Sequence, residues 1–334
     1  SSNSNNNSSN TSGSNSGQPS AGDSSPLLTL VLGAYNLAIL GWTSDTNLYK
    51  LSDEASLDDY PLDATIVTGS TANSVVATAA VVFARCFVET WIFSHIGATK
   101  IQRILGTGSA SFLYSGHLQL SPSDSELICT GGTFDGRILL WKLTTTAKGE
   151  VEQQNVVTHE FDGHQGAIFS LRLYSGGNIA VTASDDRSAR LWSAPSVSLG
   201  CGVVDLMDDT DAPWVCRSVC RGHGSRVWDA VLVGGKDKPT IATACEDSIL
   251  RLFALDGTLV RELRGHQTRG IRCLAAISES SSGRWVATGG EDCSLRLWPL
   301  PEGKAEDQER SHGSDTINDS NNNNTSTTAN NSNN

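Results

Sequence analysis

Seven histidines occur in the chain, at His95, His117, His159, His164, His223, His266 and His312, and three of them keep a regular distance ahead of an aspartate. His164, His223 and His266 each follow a glycine and precede Asp186, Asp247 and Asp292 by 22, 24 and 26 residues. Each aspartate in turn precedes an aromatic, Trp192, Phe253 or Trp298, by six residues. A fourth pair, Asp135 and Trp141, keeps the six-residue offset without the histidine. Imidazole and carboxylate at such separations can form a hydrogen bond to a charged group, worth about 1.5 to 3 kcal/mol net. Its recurrence predicts a structural clamp present in every repeat, and it leaves few histidines for catalysis.

Other chemistry is sparse. The sequence has no H-E-x-x-H, no G-x-S-x-G and no G-x-x-x-x-G-K-[ST], and GTGSAS (Gly106 to Ser111) lacks the third glycine of a dinucleotide fingerprint. The acidic run MDDTDAP (Met207 to Pro213) is read as a solvated loop rather than a cation site. Asp185 and Asp186 resemble paired acids, but Asp186 is already the clamp carboxylate, which favours a structural role over a glycosidase-type one. Eight cysteines, Cys86, Cys129, Cys201, Cys216, Cys220, Cys245, Cys273 and Cys293, include no C-x-x-C, and most lie in strand-like runs where a thiol packs as a small hydrophobe. The reading is therefore a chain that is not an enzyme and has no metal site and no cofactor.

The basic residues are patterned. RGHGSR (Arg221 to Arg226) and RGHQTR (Arg264 to Arg269) share the frame R-G-H-x-x-R, while the loop DGHQGA (Asp162 to Ala167) of the preceding repeat lacks both arginines. From Arg217 to Arg272 there are 10 Lys or Arg against 6 Asp or Glu, in a chain whose formal net charge is -12. Two readings stand side by side: solvated loop charges, or an anion-binding patch made of Arg221, Arg226, Arg264, Arg269 and Arg272.

These residues need a scaffold that repeats. Ile168 to Leu173 and Ile179 to Ser184, Val227 to Val231 and Thr240 to Cys245, Ile271 to Ala275 and Trp285 to Gly290 all read as strands, and no helical period competes. The pattern predicts a four-stranded antiparallel sheet per repeat: Gly-His ends the loop before the first strand, the aspartate sits in the tight turn between the second and third, and the aromatic lies on the third. Leu27 to Leu32, Leu37 to Trp42 and Asn47 to Leu51 can form one degenerate repeat and Thr65 to His95 another. Gly116-His117 is read as lying within or beside a strand, because no first strand separates it from LICTGG (Leu127 to Gly132). The longest apolar run, Val75 to Val88, is too short for an ordinary membrane helix and contains Arg85, so it is read as two strands. Residues 1–26 and 302–334 are Ser/Asn-rich, too poor in apolar side chains to offset ordering entropy, and are expected to be disordered tails around a body at 27–301. No secretory signal pattern is seen at the start of the sequence, and a cytoplasmic location is expected.

GHQTRGIRCLA (Gly265 to Ala275) followed by WVATGGEDCSLRLW (Trp285 to Trp298), with GHQGAIFSLRL (Gly163 to Leu173), ASDDRSARLW (Ala183 to Trp192) and GHGSRVWDAVL (Gly222 to Leu232), resembles the WD-repeat protein six family over about Phe161 to Leu300. The resemblance implies an all-β WD-repeat β-propeller, here with four clear and about two degenerate blades. A seventh blade is not evident, and the last repeat stops at Trp298-Pro299 without a clear fourth strand. Closure is expected to use an N-terminal strand, unless the chain is the front portion of a longer protein, as members with several propellers are. The resemblance further implies a non-catalytic scaffold that partners an FtsJ-type methyltransferase and presents tRNA for modification of the wobble ribose, with neither DNA nor membrane as a partner. The alternative is a general protein-interaction propeller, such as a ubiquitin-ligase substrate receptor. The Asp-Arg docking pair common after the blade tryptophan in that class is replaced here by LTTT, SAPS, ALDG and PLPE.

Overall fold

The computed structural model describes residues 27–42, 48–50, 54–69, 75–94, 97–106, 112–121, 126–145, 151–152, 159–174, 177–194, 214–233, 239–267, 270–280 and 283–300. Arg269, His95, His312, Cys201 and the two Ser/Asn-rich ends lie outside the described residues.

Six antiparallel sheets follow one another along the chain. The first is built from β1 (Leu27–Leu32), β2 (Asn36–Trp42), β3 (Leu48–Lys50) and β4 (Ala55–Ser56), and the second from β5 (Pro61–Gly69), β6 (Val75–Phe83), β7 (Phe87–Ser94) and β8 (Gly97–Leu105). The third holds β9 (Leu113–Leu120), β10 (Glu126–Thr133), β11 (Ile138–Thr145), β12 (Val151–Glu152) and β13 (His159–Phe161), with both short strands on the edge of β11. The fourth runs β14 (Ile168–Tyr174), β15 (Ile179–Ser184), β16 (Ala189–Ser193), β17 (Val215–Cys220), and the fifth runs β18 (Val227–Val233), β19 (Thr240–Cys245), β20 (Ile249–Phe253), β21 (Leu259–Arg264). The sixth has three strands, β22 (Ile271–Ser280), β23 (Gly283–Gly290) and β24 (Leu295–Leu300). The run from Val75 to Val88 is divided at Ala84–Cys86, where Cys86 takes a φ of 60° to make the turn.

Both faces of an inner sheet are apolar, so neighbouring sheets must cover one another. Leu30, Leu37 and Ile39 pack against Ala79, Val81 and Phe83 between the first and second sheets. Val82 and Val88 meet Leu118, Leu127 and Trp141 between the second and third. Ile128, Ile138 and Leu140 meet Leu171, Ala180 and Trp192 between the third and fourth. Val181, Ala189 and Leu191 meet Val227, Ala230 and Ile241 between the fourth and fifth. Leu250 and Leu252 meet Ile271, Leu274 and Val286 between the fifth and sixth. The sheets therefore stack as blades, each with its first strand against the first strand of the next.

Those first strands share two further features. In the second to sixth sheets the register slips by one residue near the start of the strand, at Leu62, Tyr114, Phe169, Trp228 and Arg272. A bulge of this kind re-aims the extra side chain. The residue that follows carries a polar clip to the next blade. Asp63 accepts from Leu118 N at 2.9 Å, Ser115 Oγ donates to Ile168 O at 2.9 Å, Ser170 Oγ donates to Asp229 at 2.6 Å, and Asp229 accepts from Leu274 N at 2.8 Å. Arg172 adds a charged bond to Asp229 at 2.8 Å and one to Leu274 O at 3.2 Å, so a single carboxylate joins the fourth, fifth and sixth blades. His117, inside β9, lies 3.2 Å from Asp63.

The clamp geometry is complete in two blades. In the fourth, Trp192 Nε1 donates to Thr182 Oγ1 at 2.9 Å, and that hydroxyl lies 2.7 Å from His164 Nε2. The other ring nitrogen, Nδ1, lies 2.8 Å from Asp186. One assignment satisfies every atom: a neutral imidazole whose Nδ1–H donates to Asp186 and whose Nε2 accepts from Thr182. Burial would raise the Asp186 carboxyl, but bonds from His164, Ser188 and the Gln165 amide outweigh it and hold the group far below the usual carboxylate range. The sixth blade repeats the relay, with Trp298 Nε1 to Thr288 Oγ1 at 2.8 Å, Thr288 to His266 Nε2 at 2.7 Å, and His266 Nδ1 to Asp292 at 3.0 Å. The carboxylates are half-buried, at the rim of the sheet, whereas the imidazoles are enclosed.

The fifth blade departs from the expected pair: His223 does not bond Asp247. Its Nδ1 lies 3.1 Å from Arg187 O in the turn of the fourth blade, and Nε2 lies 2.9 Å from Thr243 Oγ1. Asp247 is engaged instead by Gly224 N at 2.8 Å and by Arg251 Nη1 at 2.7 Å. Phe253 offers no indole N–H to the threonine, and the guanidinium of the nearly buried Arg251 takes the carboxylate. In the third blade Asp135 bonds Thr133 and Arg137, with no histidine, and Trp141 Nε1 has no hydrogen-bond partner among the described residues.

Thr182→Val leaves Trp192 Nε1 and His164 Nε2 unsatisfied in a dry interior, and urea denaturation should show a loss of about 2 to 4 kcal/mol. Acid acts through His223, which burial and then the Arg251 charge pull down to about 4. An unfolded histidine titrates near pH 6.5, so the unfolded chain binds the proton first; stability is full above about pH 6.5 and is lost as pH falls toward 4. Thermal melts across that window should show a falling midpoint, with a shallower slope in His223→Gln.

Candidate nucleic-acid interface

The histidine in the fourth and sixth blades, and the Gly224 amide in the fifth, hold the Gly-His loop onto the aspartate turn of the same sheet, which brings Arg221, Arg226 and Arg264 to that end of the blades. Arg221 is exposed just after β17. Arg264, 69% exposed at the end of β21, pairs with Glu262 at 2.8 Å. Arg226 lies between Asp185 of the fourth blade at 3.4 Å and Glu246 of the fifth at 3.3 Å. Arg272, the bulge residue of β22, pairs with Glu291 at 2.5 Å through Nε. Of the five candidate arginines, Arg226 and Arg272 converge: their guanidinium carbons stand 5.5 and 3.7 Å from the Trp228 ring. No contact joins Arg221 or Arg264 to that pair among the described residues.

The sequence reading missed what these two cations rest on. The bulge residues of consecutive blades form a continuous arc of rings: Tyr114 to Phe169 at 6.2 Å, Phe169 stacked on Trp228 at 4.5 Å, and Trp228 under Arg272. Phe134, in the turn after β10, extends the arc to Tyr114 at 6.0 Å and is 64% exposed. The signal was present, since Phe169, Trp228 and Arg272 each directly follow the buried Ile168, Val227 and Ile271 after a Gly-His loop. Only the register slip shows that these side chains turn out of the sheet.

Three carboxylates, Asp185, Glu246 and Glu291, already neutralise the convergent arginines, so an anion approaching Arg226 or Arg272 must exchange with a side chain. Arg221 and the outer N–H groups of Arg264 face solvent and can meet a phosphate directly. Cation–ring contacts place Arg226 and Arg272 over the Trp228 ring. Among the described residues, no group of three or more His, Cys, Asp or Glu is placed to hold a metal.

Comparison with known proteins gives the same repeat. The WD domain, G-beta repeat, matches residues 155–193 and 257–299. A tRNA (34-2'-O)-methyltransferase regulator WDR6 of Bos taurus is 32% identical over 178 residues, 52% of this chain and 14% of that protein. Its counterpart of Homo sapiens is 30% identical over 175 residues, again 52% of this chain and 14% of that protein. The chain thus spans about a seventh of the length of these relatives. The crystal structure of the WD40 beta propeller domain of Doa1 covers 72% of this chain and 66% of its own, with a TM-score of 0.49 at 20% identity. The stacked antiparallel sheets, their clamps and the two matched repeats give this chain a WD-repeat β-propeller fold, and over about half its length it resembles proteins named tRNA (34-2'-O)-methyltransferase regulators.

Proposed function

We propose that the chain is a non-catalytic WD-repeat scaffold that partners an FtsJ-type tRNA 2'-O-ribose methyltransferase and helps position tRNA for modification of the wobble nucleotide. The observation that carries this reading is the 30 to 32% identity, over about half the chain, to proteins named tRNA (34-2'-O)-methyltransferase regulators. The loop arginines supply a chemistry suited to folded RNA, whose recognition rests largely on backbone and shape. Arg221 and Arg264 would make first contacts, and Arg226 would exchange Asp185 and Glu246 for phosphate. Pure protein with methyl donor and tRNA should give no ribose methylation, and addition of the methyltransferase should restore it; methylation without the partner would overturn the scaffold reading.

A second reading, a general protein-interaction propeller, draws on the aromatic arc, since exposed rings such as Tyr114 and Phe134 are common at protein interfaces. Salt dependence separates the two. Each phosphate contact contributes a slope of roughly -0.7 to -0.9 in log affinity against log salt, so replacing Arg221, Arg226, Arg264 and Arg269 together by Gln should flatten tRNA binding by about three units. An unchanged slope, in a variant with a wild-type circular dichroism spectrum, would move the RNA-facing surface away from these loops.

A further inference from the structure

The second blade carries the clamp positions with their charges exchanged. Counted back from the aromatic of the third strand, Trp192, Phe253 and Trp298 have an aspartate at six residues, Asp186, Asp247 and Asp292, and an arginine at two, Arg190, Arg251 and Arg296. Trp91 of β7 has Arg85 at six and Glu89 at two. The register agrees, since Glu89 pairs with Val81 as Arg190 pairs with Thr182. Six residues before the clip residues Ser170 and Asp229 stand His164 and His223, but six before Asp63 stands Leu57, so the second blade has no imidazole to draw its loop onto the turn.

In the fifth blade the usual order of charges closes on itself. Asp247 bonds Arg251 at 2.7 Å, Arg251 bonds Glu262 at 2.9 Å, and Glu262 bonds Arg264 at 2.8 Å. At the matching positions of the second blade stand Arg85, Glu89, Arg103 and Leu105. Glu89 and Arg103 meet, with Nε and Nη2 of Arg103 at 2.8 and 2.6 Å from the same oxygen, Oε1. Arg85 does not join them. Its side chain is 71% exposed, against 10 to 16% for the turn aspartates, and its Nε lies 3.3 Å from Asp59. An open cleft of about 420 Å3 results, lined by Asp58, Asp59, Arg85, Phe87, Arg103 and Leu105.

The wall of this cleft is built to present Arg103. Glu89 is wholly buried, and its second oxygen, Oε2, has no hydrogen-bond partner among the described residues. Burying such a carboxylate costs free energy that an apolar residue would not. What it secures is the pose of Arg103, whose guanidinium lies 4.4 Å from the Phe87 ring, itself stacked on Phe83. With Nε and Nη2 committed to Glu89, Nη1 is the arm left for a ligand. Ile101, 41% exposed, and Leu105, 65% exposed, flank Arg103 on β8 two residues to either side, on the same face of the strand.

We propose that this cleft binds a carboxylate side chain of a protein partner, presented by an extended acidic segment with an apolar residue two places to either side. Arg85 and Nη1 of Arg103 hold the carboxylate, and Ile101 and Leu105 receive the apolar side chains. Charge decides against a polyanion. Arg85, Lys100 and Arg103 are matched one for one by Asp59, Asp58 and Glu89, so the cleft has no net field to gather phosphates. The site shares no residue with the loop arginines of the fourth to sixth blades, and it stands whether or not those meet RNA.

The test follows the Arg103 Nε–H resonance of the isotope-labelled full chain, assigned by its loss in Arg103→Lys. The probe is a capped peptide, Leu-Thr-Glu-Thr-Leu, added to millimolar concentration. It should shift that resonance saturably, and replacing its Glu by Gln, or both Leu by Thr, should weaken binding about tenfold or more. Arg85→Asp installs the residue that the other blades carry in this turn and should weaken the Glu peptide equally, with an unchanged melting midpoint. Arg85→Gln, which adds no charge beside Asp59, repeats the comparison in a second background. The proposal is overturned by equal binding of the Gln and Glu peptides, by Arg85 variants that bind as the wild type does, or by the absence of a shift at millimolar peptide. A short oligouridylate that moves the same resonance at lower concentration than the peptide, and loses this effect in Arg85→Gln, also overturns it and makes the cleft a phosphate site.

Discussion

A sheet with two apolar faces has no stable existence in water, and every level of this molecule answers to that constraint. The second to fifth blades satisfy it by alternation along each strand: Val181 and Leu191 point one way, Ala180 and Trp192 the other, and each set meets a different neighbour. Small residues permit the close approach. An added Cβ at Gly131 would come within 2.6 Å of Leu113, and one at Gly132 within 2.5 Å of Ile168, so the third blade can nest between its first strand and the next blade only without side chains there. The clamps and clips work within this packing, because each satisfies polar atoms that burial of the faces has taken from water.

The same constraint explains why charge gathers where it does. Stacked faces admit charge only where it is paired, as at Asp229 and Arg172, and further cations and carboxylates gather in the turns at the clamp end. Arg226 bridges acids from two blades, Asp185 and Glu246, and Arg272 holds Glu291 while lying on Trp228. The local surplus of basic residues in the sequence is therefore not a free positive surface. Among its described residues Arg226, Arg251, Arg264 and Arg272 are paired with carboxylates, and Arg221 and the outer side of Arg264 face solvent. An anion that reaches Arg226 or Arg272 competes with carboxylates there.

The amount of this that the sequence disclosed depended on how local each feature is. The Asp-to-aromatic strands were legible because their chemistry is distinctive and their offset short, and the matched repeats at 155–193 and 257–299 cover two of them. The strands of the first two blades were legible as apolar runs, although Leu37, Ile39, Val81 and Phe83 hold those blades with apolar contacts and no clamp motif. The rerouting of His223 was not legible, since it depends on a carbonyl of Arg187 in another blade and on the reach of Arg251 across its own strand. Nor was the ring arc. Alternation places Phe169 and Trp228 on a face, and only the slip in register lifts them from it.

One feature of the turns sets a different kind of rule. Directly after the turn aspartates of the fourth, fifth and sixth blades, Arg187, Ser248 and Cys293 adopt φ values of 64°, 67° and 60°, and the third blade places Gly136 there at 90°. A left-handed torsion costs a non-glycine residue about 1 kcal/mol or more. The aspartate holds it in place by accepting from the amide two residues on, Ser188, Ile249 or Ser294. The backbone at this point is dictated, but Arg187 and Cys293 extend into solvent and the fold asks nothing of their chemistry. The fourth and sixth blades thereby each carry one letter that can be rewritten without disturbing the text around it, and such letters on the rim are enough to give otherwise similar blades separate addresses.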